Sequence, residues 1–346
     1  MKVIMTCGGT GGHIYPAIAI ADKIKEKNPD AEILFIGTKK GMENRLVPAA
    51  GYEIKGIDAS GLDRHSIVKN IKTAENLIKG EHEAKKIIHE FEPDVVVGTG
   101  GYVTGTVVYC GHKFGARCFI HEQNAYPGVA NKLLEGLCEK VFISFPEAAQ
   151  YFKHQDKIIL SGNPIRHEFI DKQSDEAEYI LVCGGSLGAE MINNAAIELT
   201  KQVNDKIVFV TGKRYYDEIK ANKFPENVEL IDYENDMPSR MAKAKLVISR
   251  AGAITLSEIL ASGKVAVFIP SPNVTANHQY HNAKSVCDAG AAIMVEEKEL
   301  AEDISVLAKR VKELLADESK IAEMSQKAKE LANLDATDRI YHGIYG

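Results

Sequence analysis

The sequence predicts an α/β fold of two similar domains, each a parallel sheet opening on a glycine loop. Three observations carry this. Lys2–Thr6 is a short apolar run, Cys7–His13 reads CGGTGGH, and Ile14, Ala17, Ile18, Ala21 and Ile24 then recur at helical spacing. The same order returns in the second half: Tyr179–Cys183 reads as a strand, Gly184–Gly188 as a loop and Met191–Leu199 as a helix. At 346 residues the chain is long for one core and fits two domains. Glycine lets backbone N–H groups approach an anion, and a helix start adds a positive end. Two such cradles suggest two domains serving one phosphorylated ligand. A tight strand–helix turn also needs glycine, so one cradle alone says little.

Composition narrows the class. With 45% apolar and 26% charged residues the chain is of ordinary globular type. No apolar run nears the ~20 residues that span a bilayer, and Met1 leads into a strand rather than a signal peptide. The six cysteines show no metal spacing and read as reduced thiols. Net charge is +1 through Lys157 and −7 beyond it, so the first half suits an anionic surface better. The chain as a whole is acidic at −6, which argues against a nucleic-acid partner.

In chain order, Glu32–Thr38 is a second strand, with Pro16 of the preceding helix placed in its first turn. A nicotinamide site would carry GxGxxG and an acid some 20 residues on. Position 14 is Ile, and the second strand ends Gly37-Thr38-Lys39; in the other half, Ile207–Val210 ends Thr211-Gly212-Lys213. Both halves lack the acid, which disfavours a nicotinamide reading, and no cofactor is expected. Ile67–Phe91 mixes apolar residues with five lysines and reads as helices on a sheet, or as a stretch lying against a membrane. Asp94–Val97 is a strand before a third glycine loop, Gly98–Gly105. Arg117–Ile120 ends in His121-Glu-Gln-Asn124, a polar run where open α/β sheets place ligands. Val141–Ser144 is expected to close this half-sheet, and Ser161–Arg166 is a turn-rich hinge.

In the second half, Leu246–Ser249 leads into Arg250–Glu258. Thr255 and Glu258 share a helix face, so the carboxylate can accept from a ribose diol or merely complete a capping pattern. Val265–Ile269 is followed by Asn277-His-Gln279, suited to sugar hydroxyls. The tail, 335–346, reads as a helix that crosses back to the first domain.

GGTGGH (8–13), GTGGYVTG (98–105), HEQN (121–124), GNPIR (162–166), GGSLGA (184–189), RAGAITLSE (250–258) and HQYHNA (278–283) together resemble the MurG family of peptidoglycan N-acetylglucosaminyltransferases. Their order and spacing cover nearly the whole chain. The resemblance implies the GT-B architecture, two Rossmann-like domains about a cleft. It implies residues 1–163 for the lipid-linked acceptor, lipid I, and 164–334 for the donor, UDP-N-acetylglucosamine (UDP-GlcNAc), with 335–346 returning to the first. Position by position it implies that Thr10, Gly11 and Gly12 reach the donor, with Asn124 and Arg166. It implies that Ser186 holds the diphosphate, and that Arg250, Ala253, Ile254, Thr255, Leu256, Ser257 and Glu258 cradle the nucleotide, Glu258 on the ribose. Gln279 would read the sugar, and Gly100, Gly101 and Tyr102 would meet the acceptor diphosphate. Glu234-Asn235 stands where the family's uracil contact has an apolar residue, and His278 stands where relatives have glutamine.

The implied reaction needs a base, and no DxD-like metal pair is present. His13 is the first candidate, because histidine titrates nearest neutral pH; Glu122 is the second. His13 could instead orient a phosphate. Direct displacement implies inversion at the sugar. The resemblance also implies a peripheral place on the inner leaflet of the cytoplasmic membrane. Rivals are another UDP-sugar enzyme (a glycolipid glycosyltransferase or a UDP-GlcNAc 2-epimerase) and a non-catalytic UDP-sugar-binding membrane subunit.

Overall fold

The structure is a computed structural model describing residues 1–59, 67–172, 174, 176–185 and 188–346, with backbone alone for 67–75. The chain forms two compact units, Met1–Ile165 with Asp335–Gly346, and Arg166–Leu334.

The first unit alternates strand and helix: β1 (Lys2–Cys7), α1 (Gly11–Lys27), β2 (Glu32–Thr38), α2 (Glu43–Ala49), β3 (Glu53–Ile57), α3 (Ile67–Phe91), β4 (Val95–Gly100), α4 (Tyr102–Phe114), β5 (Arg117–Glu122), α5 (Val129–Leu134), β6 (Lys140–Ile143) and β7 (Ile158–Leu160). All strands are parallel, in the order β3-β2-β1-β4-β5-β6-β7. The second unit runs α6 (Glu168–Asp171), β8 (Tyr179–Cys183), α7 (Glu190–Thr200), β9 (Ile207–Val210), α8 (Tyr216–Lys220), β10 (Val228–Ile231), α9 (Met237–Ala242), β11 (Ala244–Ser249), α10 (Ala253–Ala261), β12 (Ala266–Phe268), α11 (His278–Asp288), β13 (Ala292–Met294), α12 (Glu297–Glu302), α13 (Val306–Leu315) and α14 (Glu318–Leu331). Its parallel order is β10-β9-β8-β11-β12-β13. The last helix, α15 (Ala336–Tyr345), belongs to the first unit.

Burial explains these elements. Val3, Ile4, Met5 and Cys7 are all fully buried, as a central parallel strand covered on both faces requires. Helix α1 packs Ile14, Ala17, Ile20, Ala21 and Ile24 against it. In the second unit Ile180, Leu181 and Val182 do the same, with Ile192, Ala195, Ala196 and Leu199 of α7 in the same core. Strand order reverses between β1 and β4 and between β8 and β11, and ligands of open parallel sheets gather at such points. The glycine loops after β1, β4 and β8 and the Arg250 segment after β11 all stand there.

Several expectations need correction. The first half-sheet closes on β7, not on the strand at Val141–Ser144, and β3, β10 and β13 extend the sheets beyond the strands read from sequence. Ile67–Phe91 is one helix rather than several. Pro16 lies in the second turn of α1, where it withholds the N–H that would bond the Gly12 carbonyl. Ser186 lies outside the described residues, as do the side chains of the 67–75 part of the lysine-rich stretch.

Helix α15 docks on α1 and β6. Lys23, nearly buried, pairs with Asp338 at 3.3 Å, and Asn28 donates to Tyr341 at 2.8 Å. A Cβ on Gly343 would collide with Phe142 Cε1 and stand 2.8 Å from Cζ of that buried ring. Gly343→Ala is therefore expected to cost about 1–3 kcal/mol through overpacking. Urea unfolding followed by circular dichroism checks this; a midpoint equal to that of the parent would show that α15 yields.

Candidate active site

The β1–α1 loop presents Thr10 as the N-cap of α1, exposed and without a side-chain cap bond. His13 N and Ile14 N bond back to Thr10 O at 3.0 and 3.2 Å, so the Gly11 and Gly12 amides remain among the open donors of a helix start. The His13 ring lies 3.0 Å by Nδ1 from Gly8 O. A carbonyl oxygen only accepts, so Nδ1 carries a proton, and in the neutral ring Nε2 is the nitrogen with the lone pair. His13 O accepts from Thr99 Oγ1 at 2.7 Å, which ties α1 to β4.

The β4–α4 loop lies against the same histidine. A Cβ on Gly100 would stand 2.7 Å from His13 Cδ2 and 2.9 Å from Nε2, and one on Gly101 would stand 2.5 Å from Gly8 O. Gly101 has φ +92°, so both sterics and backbone require glycine. Tyr102 follows at the start of α4, 69% exposed.

The polar run at the end of β5 is mostly buried. His121, Glu122 and Gln123 are buried, and Asn124 is half-buried. Burial pushes the His121 imidazole down to about 4, so it is neutral; its Nε2–H donates to Gly162 O at 3.0 Å. Gln123 Nε2 donates to His121 Nδ1 at 2.9 Å and to Thr99 O at 2.8 Å, and Asn163 Nδ2 donates to Gln123 O at 3.1 Å. Glu122 accepts from Asn124 N, Asn124 Nδ2, Gly128 N and Asn131 Nδ2 at 2.8–3.1 Å. All four polar residues are thus bonded within the unit that carries them.

In the second unit Arg250 donates by Nη1 to Ile269 O at 2.9 Å and pairs by Nη2 with Glu297. It braces β12 to α12. Helix α10 starts at Gly252 with no side-chain cap, leaving its first amides open. Ala253, Ile254 and Leu256 are buried, and Thr255 and Ser257 are half-buried. Glu258 is 8% exposed, and Arg166 Nη2 lies 3.3 Å from its Oε1. Burial raises the Glu258 carboxyl to about 7, against the pull of Arg166. Gln279 accepts from Ser271 N at 2.9 Å, so its amide NH2 is the end left to donate. Ala276 and Asn277, just before it, have φ of +53° and +52°. Two braces escaped sequence reading: Asn282, fully buried, donates to Ala251 O at 3.1 Å, and Glu43 lies beneath the first loop.

Two parallel-sheet α/β units with glycine loops and helix starts at their switch points fit the GT-B fold. Residues 3–143 match the glycosyltransferase family 28 N-terminal domain, and residues 179–340 match the family 28 C-terminal domain. A relative from Alkaliphilus oremlandii is named UDP-N-acetylglucosamine–N-acetylmuramyl-(pentapeptide) pyrophosphoryl-undecaprenol N-acetylglucosamine transferase. It is 42% identical over 99% of this chain and 97% of its own length. The chain is similar to the crystal structure of Acinetobacter baumannii MurG, with TM-score 0.80 and 28% identity over 99% and 98% of the two chains. The UDP-GlcNAc 2-epimerase of Neisseria meningitidis bound to UDP-GlcNAc has TM-score 0.70 at 14% identity, covering both chains fully, and shares the fold alone. The chain belongs to the MurG family within glycosyltransferase family 28.

Proposed function

We propose that this protein transfers N-acetylglucosamine from UDP-GlcNAc to the 4-hydroxyl of the N-acetylmuramyl unit of undecaprenyl-pyrophosphoryl-MurNAc-pentapeptide (lipid I), giving lipid II with inversion at the sugar. The observation that carries the reading is the full-length 42% identity to a relative named for this transfer. Residues 1–163 take the acceptor, 164–334 take the donor, and 335–346 complete the first domain.

His13 Nε2 removes the acceptor hydroxyl proton as that oxygen attacks the sugar's anomeric carbon. The bond to UDP breaks, and its diphosphate leaves with the electron pair. Tautomer fixation by Gly8 O supports this role. Glu122 is less suited, because four donors already hold its carboxylate; it shapes the turn that presents Asn124. Open amides at the starts of α1, α7 and α10 suit diphosphate charge, and Ser186 keeps the diphosphate role that the resemblance implies. Gly100, Gly101 and Tyr102 face that of the acceptor. Glu258 accepts from the ribose hydroxyls, with Arg166 beside it and Thr255 and Ser257 on the same helix. Arg250 holds the nucleotide segment in place, and Gln279 donates to the sugar.

The protein acts peripherally at the cytoplasmic face of the membrane. Leu77 and Ile78 of α3 are 42% and 71% exposed beside Lys79, an apolar step with a cation suited to headgroups. Among the described residues no helix is long and apolar enough to cross a bilayer.

The test is incubation with UDP-GlcNAc and a lipid I analogue, followed by mass spectrometry. The acceptor should gain one N-acetylhexosamine as UDP appears. A 2-epimer formed from donor alone would assign the epimerase reading instead; binding of both substrates without turnover would assign a non-catalytic subunit.

A further inference from the structure

Glu43 is the first residue of α2 and is fully buried. Its Oε1 accepts from Thr38 N at 2.8 Å and Thr38 Oγ1 at 2.6 Å, while Oε2 accepts from Gly9 N at 3.2 Å. No Lys or Arg pairs with it among the described residues. Burial pushes its carboxyl upward, but bonds from the Thr38 side chain and from the amides of Glu43, Thr38 and Gly9 outweigh this and hold it low. It is therefore a buried carboxylate held by hydrogen bonds, with no ion pair among the described residues.

Three glycines make room for it. A Cβ on Gly41 would fall on the carboxylate itself, one on Gly37 would stand 2.6 Å from Glu43 Cγ, and one on Gly8 would stand 3.1 Å from Oε1. The loop it holds has Gly9 at φ +90° and runs directly into Thr10. Gly8, bonded to His13 Nδ1 through its carbonyl, precedes the amide that Glu43 binds.

We propose that Glu43 is a positioning residue for catalysis: its carboxylate fixes the Gly8–Gly9 turn, which aims the Gly8 carbonyl at His13 Nδ1 and leaves Nε2 as the base. The carboxylate also acts as an internal anion for the loop. It takes the Gly9 amide, so substrate phosphate is left with Gly11 and Gly12. This rests on the transferase reading for its catalytic consequence, but the brace itself is a property of the fold.

Glu43→Gln tests it at nearly constant shape. A glutamine has one oxygen, so either Gly9 N or Thr38 N loses its acceptor. The turn then loses a bond that fixes it, and with the Gly8 carbonyl no longer aimed at His13 Nδ1 a roughly tenfold or larger fall in kcat is expected. Hydrogen exchange should quicken across Gly9–His13. Gly41→Ala, which displaces the carboxylate without removing it, should give the same pair of changes. Thr38→Val removes only the hydroxyl donor; it should lower the melting temperature but leave kcat and Gly9 exchange as in the parent. That separates positioning from stability. A folded Glu43→Gln protein with kcat within about threefold of the parent and unchanged Gly9 exchange would overturn the proposal. If the parent itself transfers no sugar, the transferase reading fails and exchange at Gly9–His13 alone decides the brace: faster upholds it, unchanged overturns it.

Discussion

His13→Ala should lower kcat by about 10²–10⁴-fold, the range a lost general base commands, and leave UDP affinity intact. The argument is one of tautomer and access. The Gly8 carbonyl can only accept, so the Nδ1 proton is committed and the basic nitrogen is Nε2. The ring edge carrying that nitrogen lies where a side chain on Gly100 would be, so glycine there is what keeps it clear. The ring is half-buried and rests on loop residues, so its removal should leave the sheet core standing. Steady-state kinetics beside calorimetric titration with UDP give the two readings. If His13 instead only orients phosphate, UDP-GlcNAc binding weakens and becomes less salt-sensitive, while kcat at saturation changes little. A saturated rate within a few-fold of the parent would remove His13 from the proton transfer.

How far the sequence alone reached follows from where burial acts. Strands β1 and β8 are covered on both faces, so Val3–Met5 and Ile180–Val182 appear as unbroken apolar runs. The edge strands β3, β10 and β13, and the three-residue β7, pair on one side only, and their residues are mostly half-exposed. A segment such as Glu53-Ile-Lys-Gly-Ile57 carries little period of either kind. The glycine loops were legible because positive φ and close backbone approach admit hardly any other residue, as at Gly101.

The polar residues were harder. His121-Glu-Gln-Asn124 reads as a ligand-facing cluster, yet His121, Glu122 and Gln123 spend their hydrogen bonds inside the first unit. Sequence places a polar run at a strand end without telling which neighbours return to meet it. Glu43 is the sharper case. Its partner Gly9 stands 34 residues earlier, and the only local sign was a single acid with Gly37 and Gly41 just before it. Arg250 lay in the expected segment, but its pairing with Glu297 depends on a helix far along the chain.

Glu258→Gln should weaken UDP binding roughly 10–100-fold, the worth of a charge-assisted hydrogen bond or two, and at the same time stabilise the protein at pH 8. Both follow from one buried carboxyl. A ribose diol donates two protons and needs the ionised form to accept them. With burial holding the group at about 7, and Arg166 opposing burial from a partly exposed position that solvent screens, the ionised form is only half populated near neutrality. Nucleotide binding near pH 6 should therefore release a proton, and affinity should fall about tenfold per pH unit well below 7. The stability sign is opposite. Because the folded value lies above the unfolded one, the folded protein binds more protons between roughly pH 4.3 and 7, and stability drops as pH rises through that window. Glutamine never ionises, so the variant escapes this loss and its pH dependence of binding flattens. Titration in buffers of different ionisation enthalpy measures the proton release, and thermal melts at pH 5 and 8 measure the stability change. Equal UDP affinity in the variant, with a lower melting temperature at pH 8, would place the ribose elsewhere and make Glu258 only the counter-ion of Arg166.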